Sequence, residues 1–296
     1  MKQLTVGYFG PEATFTHLAV CSCFPADAMQ RAYATIPQCM DAVSKGEVDL
    51  AVVPLENALE GSVNLTIDYL IHEEALSIVG EMTAPIRQHL LVHPSRAESW
   101  ETLDVIQSHP HAIAQCHQFL KKQYPDIPHR PVESTGYAAK YISEHPDEAA
   151  GAIANEIAAQ TYGLTIAKKD IHDYPHNHTR FVILHKDPKA SFPMNAGFSS
   201  KPKTTIVVSL PKDDQSGALH RVLSAFSWRN LNLSKIESRP TKTGLGHYLF
   251  IIDIEKEMDD VLVPGAIQEL EAIGCEVKLL GSYQTYELTN EKECPL

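Results

Sequence analysis

Short apolar runs alternate with stretches of helical periodicity through the first 187 residues. Residues 4–9 (LTVGYF) read as a strand, and residues 14–24 as a helix with Phe15, Leu18, Ala19 and Ser22 at helical spacing. A helix opened by Pro37 follows over 36–46, then a buried strand over 49–54 (DLAVVP). Runs at 76–82, 89–93 and 105–109 predict further strands, 112–124 predicts one helix, and 135–145 predicts another that begins near Ser134. Residues 149–163 give a short strand and an Ala-rich helix ended by Gly163. Such alternation indicates parallel sheets covered by helices. The strand at 181–185 (FVILH) has no partner nearby, so the chain must return to its first sheet. Two α/β lobes with a cleft between them follow: lobe one is 1–78 plus 177–187, lobe two is 79–176, and the crossings fall near 78–85 and 171–176. Residues 188–203 lack periodicity and read as a linker. Beyond them the order strand, helix, strand, strand, helix, strand over 204–284 is the ferredoxin-like βαββαβ arrangement, and 285–296 reads as a frayed polar tail.

At 296 residues the chain is long enough for two domains, and its 44% hydrophobic and 21% charged content is ordinary for a globular protein. A net charge of −12 argues against nucleic-acid and anionic-membrane partners. No run approaches the ~20 apolar residues of a membrane span, and no apolar signal core opens the chain, so a cytoplasmic location is expected. The six cysteines include no CxxC and read as free thiols.

Chemistry concentrates at 177–181 (NHTRF), which sets a hydroxyl, a guanidinium and an aromatic ring at a strand mouth. Arg can grip a carboxylate through two parallel N–H donors, Thr can donate to a reacting oxygen, and Phe excludes water, so the segment suits a small anionic ring. The segments GPEATFT (10–16), GSVN (61–64), HPHAIAQ (109–115) and ESTGYAA (133–139) each place Ser, Thr or Gly where a strand hands over to a helix. If those helix starts line one cleft, their free N–H groups make a site that attracts anions despite the acidic chain.

GPEATFT, VPLENALEGSV (53–63), SHPHAIAQC (108–116), ESTGYAA and NHTRF stand in the order and spacing of the prephenate dehydratase family, which this chain resembles. Residues 217–223 (GALHRVL) and 230–240 (NLNLSKIESRP) resemble the ACT domain that follows the catalytic domain in bacterial members. The resemblance implies a periplasmic-binding-protein-like catalytic domain over 1–187, an ACT regulatory domain over 204–284, and decarboxylating dehydration of prephenate to phenylpyruvate without cofactor or metal. It implies feedback inhibition by L-phenylalanine and a homodimer or homotetramer. On this reading Thr179 donates to the departing ring hydroxyl, Asn57 orients it, and Arg180 anchors a carboxylate with Phe181 packed beneath. Glu56 is open between a catalytic carboxylate and an ion-pair partner of Arg180. Thr14, Ser108, Gln115, Ser134 and Thr135 complete the substrate site. Phenylalanine is expected at Gly217, Ala218, Leu219, Asn232, Glu237, Ser238, Arg239 and Pro240, with the 217–219 and 237–240 segments meeting across a subunit interface and helix-start amides taking its carboxylate; an alternative is that Glu237 and Arg239 merely pair with each other. The chain departs from the usual family pattern at Ala13 (commonly Gly), Ala58 (commonly Ser), His111 (commonly Gln) and Gly136 (commonly Ala).

Other readings have less behind them. His176 and His178 make an HxH pair with no clustered third ligand. Residues 244–247 (GLGH) precede a strand and lack a third Gly, so they read as a hairpin turn and not a dinucleotide loop. A solute-binding module shares the two-lobed fold, and arogenate dehydration differs only in the substrate's side chain. Chorismate mutase activity is not expected, because no helical segment precedes residue 7.

Overall fold

The computed structural model describes residues 3–72, 76–196, 198–211, 216–240 and 248–288. The turn read at 244–247 and the end of the tail from 289 lie outside them. Lobe one opens with β1 (Thr5–Phe9), α1 (Phe15–Cys23), β2 (Met29–Tyr33), α2 (Ile36–Lys45), β3 (Leu50–Asn57), the short β4 (Gly61–Ser62), α3 (Asn64–His72) and β5 (Ser77–Pro85). Strands β2, β1 and β3 run parallel. Capping agrees with the sequence: Thr35 accepts from Gln38 N ahead of Pro37, and Gly46 ends α2 in the left-handed region at φ 75°.

Lobe two holds β6 (His89–Val92), β7 (Val105–Ser108), α4 (Pro110–Gln115), α5 (His117–Gln123), β8 (His129–Pro131), α6 (Thr135–Glu144), β9 (Ala150–Ala154), α7 (Glu156–Tyr162) and β10 (Thr165–Lys168). Its five-stranded sheet runs β10-β6-β9-β7-β8. The single helix expected over 112–124 is two, because Cys116 leaves helical geometry at φ −114° and ψ 19°. Strands β2 and β8 sit at sheet edges with largely exposed residues, so no hydrophobic alternation marks them.

Strand β11 (His178–His185) returns to lobe one and inserts antiparallel between β3 and β5. Pairing of His178 with Pro85 shows where the chain crosses. All of 77–85 is strand in the large sheet, so the first crossing lies just after Pro85 and not over 78–85. Two hydrogen bonds tie the crossing segments together, Ile86 N to Asn177 O and Ile171 N to Gln88 O, each 2.9 Å.

The regulatory unit follows as β12 (Ser200–Ser209), α8 (Ala218–Ser227), β13 (Leu233–Pro240), β14 (Tyr248–Ile254), α9 (Leu262–Ala272) and β15 (Glu276–Glu287), in the sheet order β13-β14-β12-β15. It is not tethered loosely. Strand β15 pairs parallel with β5, fusing both units into one ten-stranded sheet, and residues 285–287 of the expected tail belong to that strand. A Cβ on Gly281 would fall 2.1 Å from Ile78 O, so the close approach of the two units needs glycine there. One face of the regulatory sheet, with Val207, Leu249, Ile251 and Leu280, shares a core with Leu55, Ile67, Leu70 and Ile78. The other face, with Ile206, Val208, Phe250 and Ile252, is covered by α8 and α9 through Val222, Phe226, Val263 and Leu270. The linker is anchored as well: Asn195 donates its amide to Ser22 O and Phe24 O, and Phe192 and Met194 pack on the core of lobe one.

Candidate active site

Successive side chains of a strand point to opposite faces, and this decides the fate of residues 179–181. Thr179 and Phe181 look into a cleft of about 910 Å³ between the lobes. Arg180 looks the other way, toward the regulatory unit. Asn57 stands opposite Thr179 in the β3–β11 register. Its Oδ1 accepts from Leu59 N (3.0 Å) and Glu60 N (3.1 Å), which fixes its amide so that Nδ2 donates to Thr179 Oγ1 at 2.8 Å. With its oxygen already accepting, the Thr179 hydroxyl keeps its own hydrogen to donate. Both residues are held on paired strands, and Thr179 is only 7% exposed.

Helix starts from both lobes reach the same cleft. Thr14 caps α1 by accepting from His17 N, and Ser134 caps α6 by accepting from Tyr137 N. Thr135 and Gln115 also line it, and Gln115 Oε1 accepts from Gln88 Nε2 at 3.5 Å. Among the described lining residues there is no Lys or Arg; Glu60, Glu133, His109 and His111 carry the ionisable groups. His111 Nδ1 lies 3.6 Å from Glu60 Oε2 across the cleft mouth. Burial, reinforced by His111, holds His109 below its ordinary range against a smaller opposing pull from Glu60. Its Nδ1 accepts from His111 N at 3.3 Å, which fits a neutral ring donating from Nε2. At the rim, a Cβ on Gly136 would lie 2.4 Å from Glu12 O, and the neighbouring Ala13 has φ 63°. The lobes close on each other there by backbone shape.

Three expected site residues fall elsewhere. Ser108 is fully buried on β7 and donates to Ile153 O at 2.6 Å, bracing the sheet of lobe two. Arg180 is no cleft residue: its guanidinium donates to Glu81 (2.6 and 3.1 Å), Glu56 (2.6 Å) and Asp253 (2.7 Å). Glu56 shares that rear face and also pairs with Lys235 at 2.9 Å, which resolves its role in favour of the ion pair. Burial pushes Glu56 and Glu81 up, but Lys235 and Arg180 for the first, and Arg180 and Lys203 for the second, outweigh it and hold both carboxyls below the usual range. Burial pushes Arg180 down, yet Glu81 and Asp253 raise it well above the ordinary value. Buried Tyr283, donating to Glu81 at 3.2 Å, is raised by burial and then by Glu81 and Asp253.

In the regulatory unit Gly217 takes φ 91° ahead of α8, and Leu219 is 40% exposed on its first turn beside buried Ala218. Register puts Ser238 opposite Phe250, so Ser238 and Pro240 share the helix-covered side of the sheet with α8. Glu237 and Arg239 share the other side with Ile251 and Leu249 and turn toward lobe one, away from Ser238 and Pro240. Asn232 is occupied by Glu255 Oε2 at 2.5 Å. Residues not anticipated are His109, Gln88, Tyr33 and Tyr137 in the cleft. Of these His109, inside SHPHAIAQC, and Tyr137, inside ESTGYAA, lie in segments with a local signal, whereas Gln88 and Tyr33 do not.

A family model described as prephenate dehydratase matches residues 6–189, and one described as the ACT domain matches 204–274. The prephenate dehydratase of Bacillus subtilis is 69% identical over 285 residues, covering 96% of this chain and all of that one. A solved prephenate dehydratase of Arthrobacter aurescens, in complex with L-Phe, aligns with a TM-score of 0.80 at 35% identity over 95% of this chain and 90% of that one. A solved structure described as a novel type of quorum-quenching acylase aligns with a TM-score of 0.81 at 26% identity, over 95% and 98%.

Proposed function

Because the chain belongs to the prephenate dehydratase family and carries an ACT domain, we propose that its cleft converts prephenate to phenylpyruvate and that L-phenylalanine regulates it. The observation that carries this reading is the Asn57–Thr179 pair, a threonine hydroxyl held as donor in a cleft that helix starts of both lobes reach. Prephenate dianion plus one proton gives phenylpyruvate, carbon dioxide and water: the C–C bond to the ring carboxylate breaks, its electron pair aromatises the ring, and the ring C–O bond breaks. Aromatisation supplies the driving force, so the protein has to hold two carboxylates and stabilise departing hydroxide. Thr179 donates to that oxygen, a contribution worth ~3–4 kcal/mol by analogy with one oxyanion donor. The N-termini of α1 and α6 take the carboxylates, with His109 as a neutral donor beside them. With no Lys or Arg among the described lining residues, the departing carboxylate has no cation there to stabilise it, which favours decarboxylation.

Phenylalanine is assigned to the exposed face of β13, on the helix side of the sheet, with Gly217 and Ala218 amides for its carboxylate, Leu219 for its ring and carbonyls near Ser238 for its ammonium. A homodimer or homotetramer in the cytoplasm fits that arrangement. A shared fold does not set activity, as the acylase neighbour illustrates, so the reading rests on the site. Purified protein is incubated in parallel with prephenate and with arogenate: phenylpyruvate from the first supports the assignment, phenylalanine from the second alone moves it to arogenate dehydration, and no product from either overturns it.

A further inference from the structure

Strand β13 carries two different faces. Residues 233–240 alternate regularly between half-buried and exposed, with Ile236 45% exposed. Lys235, Glu237 and Arg239 stand two apart and so share the face turned to lobe one. Each is engaged there. The Lys235 ammonium donates to Ser62 Oγ (2.8 Å) and pairs with Glu56 (2.9 Å) and Glu237 (3.1 Å). Ser62 in turn donates to Glu237 Oε2 at 2.6 Å. Arg239 donates to Asn64 Oδ1 (2.6 Å), Asp68 Oδ1 (3.1 Å) and Glu237 Oε1 (3.1 Å). At the other end of α3, Lys278 of β15 donates to Leu70 O (2.9 Å) and Ile71 O (3.0 Å).

Apart from Glu237 itself, these partners lie on one segment of lobe one, residues 56–71, which also builds a wall of the cleft through Asn57, Glu60, Ser62 and Val63. Ser62 belongs to both sets: it lines the cleft and is bonded to the regulatory strand. Glu56, bonded to Lys235, is the immediate neighbour of Asn57, which holds Thr179.

We infer that Lys235, Glu237 and Arg239 are positioning residues: as a clasp they set the 56–64 segment, and through it Asn57 and Ser62, from the regulatory domain, and they transmit effector binding on the opposite face of β13 to the cleft. This inference rests on the proposed function. A ligand seated against Ser238 and Leu219 shifts an edge strand, and the clasp carries that shift to the cleft wall without any mobile connector. Side chains exposed to water would not do so, but these three are only 13–23% exposed, so their geometry is held by packing as well as by charge.

The test uses the intact protein and compares wild type with Lys235→Met, Lys235→Arg and Glu237→Gln, the last a milder change should Lys235→Met fold poorly. Phenylalanine affinity is read by calorimetry, and kcat and KM for prephenate with and without saturating phenylalanine. Lys235→Met and Glu237→Gln are expected to bind phenylalanine within about twofold of wild type while the effect of phenylalanine on KM shrinks at least ~5-fold, with Lys235→Arg restoring part of it. Basal KM is expected to rise more than kcat falls. Variants that bind phenylalanine and respond like wild type overturn the clasp alone. A wild type that turns over prephenate but ignores phenylalanine removes its premise, and one that makes no product removes the function assignment instead.

Discussion

The two faces of the β3–β11 pair are made of adjacent residues and opposite chemistry. On the cleft face Asn57 and Thr179 share one neutral hydrogen bond in a cavity without Lys or Arg among its described lining residues. On the rear face their neighbours Glu56 and Arg180 enter a cluster with Glu81, Asp253, Lys203 and Lys235. The positive charge thus joins two domains, and the site is left with helix dipoles, one oriented hydroxyl and the carboxyl groups of Glu60 and Glu133. A strongly charged cleft would bind ground state and transition state alike; donors aimed at a departing oxygen act on the second more than on the first.

The largest expected effect comes from breaking the rear face. Arg180→Met leaves Glu81 and Asp253, each 2% exposed, without their main partner, and removing one member of a buried ion cluster typically costs ~3–5 kcal/mol. Thermal unfolding should show a large fall in Tm. Arg180→Lys should also lose stability, since one ammonium cannot serve three carboxylates, with any change in KM secondary. A variant of normal Tm with KM alone raised would return Arg180 to the substrate. The same cluster sets the acid limb of stability. Glu56 and Glu81 have folded pKa values below their ordinary 4.5, so their contribution is fully present above that value and is lost as pH falls through the depressed folded ones. Wild type should therefore lose stability below about pH 4.5 more steeply than Glu56→Gln, measured by denaturant unfolding across pH.

Next comes the cleft face. Thr179→Ala should lower kcat ~10²–10³-fold with a smaller change in KM and nearly unchanged Tm, because the hydroxyl acts mainly in the transition state. Wild-type turnover in this variant would remove the assignment.

Much of this contrast is legible in the sequence. The apolar runs that became β1, β3, β5 and β11, and the caps Thr14 and Ser134, follow from local patterns that the structure keeps. Strand alternation sets Arg180 on the opposite face from Thr179 and Phe181, so the three do not meet one ligand. Polar edge strands such as β2 give no signal, since most of their residues stay exposed. Pairing of β15 with β5 joins residues some two hundred positions apart and has no local signature; Gly281 marks the approach only once its neighbour Ile78 is known. Ser108 ends a run that reads as a strand, and only the burial of all four residues of that strand shows that its hydroxyl points inward.

The smallest effects should lie at the rim, where the cleft closes by shape and not by charge. Gly136→Ala places a methyl 2.4 Å from Glu12 O, a clash with backbone that a side-chain rotation cannot relieve. Overpacking of this kind costs ~1–3 kcal/mol, so Tm should fall modestly and KM rise as the lobes are forced apart. Ala13 faces it with φ 63°, a left-handed conformation costing ~1–2 kcal/mol for alanine. Ala13→Gly removes that strain but gives up a buried methyl worth ~0.8 kcal/mol and adds freedom to the unfolded chain. These terms nearly cancel, and alone it should change stability by less than ~0.5 kcal/mol. The freer backbone that Ala13→Gly creates lets the Glu12 carbonyl swing away from the methyl that Gly136→Ala adds. The double variant should therefore recover ~1 kcal/mol of what Gly136→Ala loses, a coupling that a double-mutant cycle on Tm and KM resolves. Strict additivity would mean that the rim yields elsewhere and that Ala13 and Gly136 are independent.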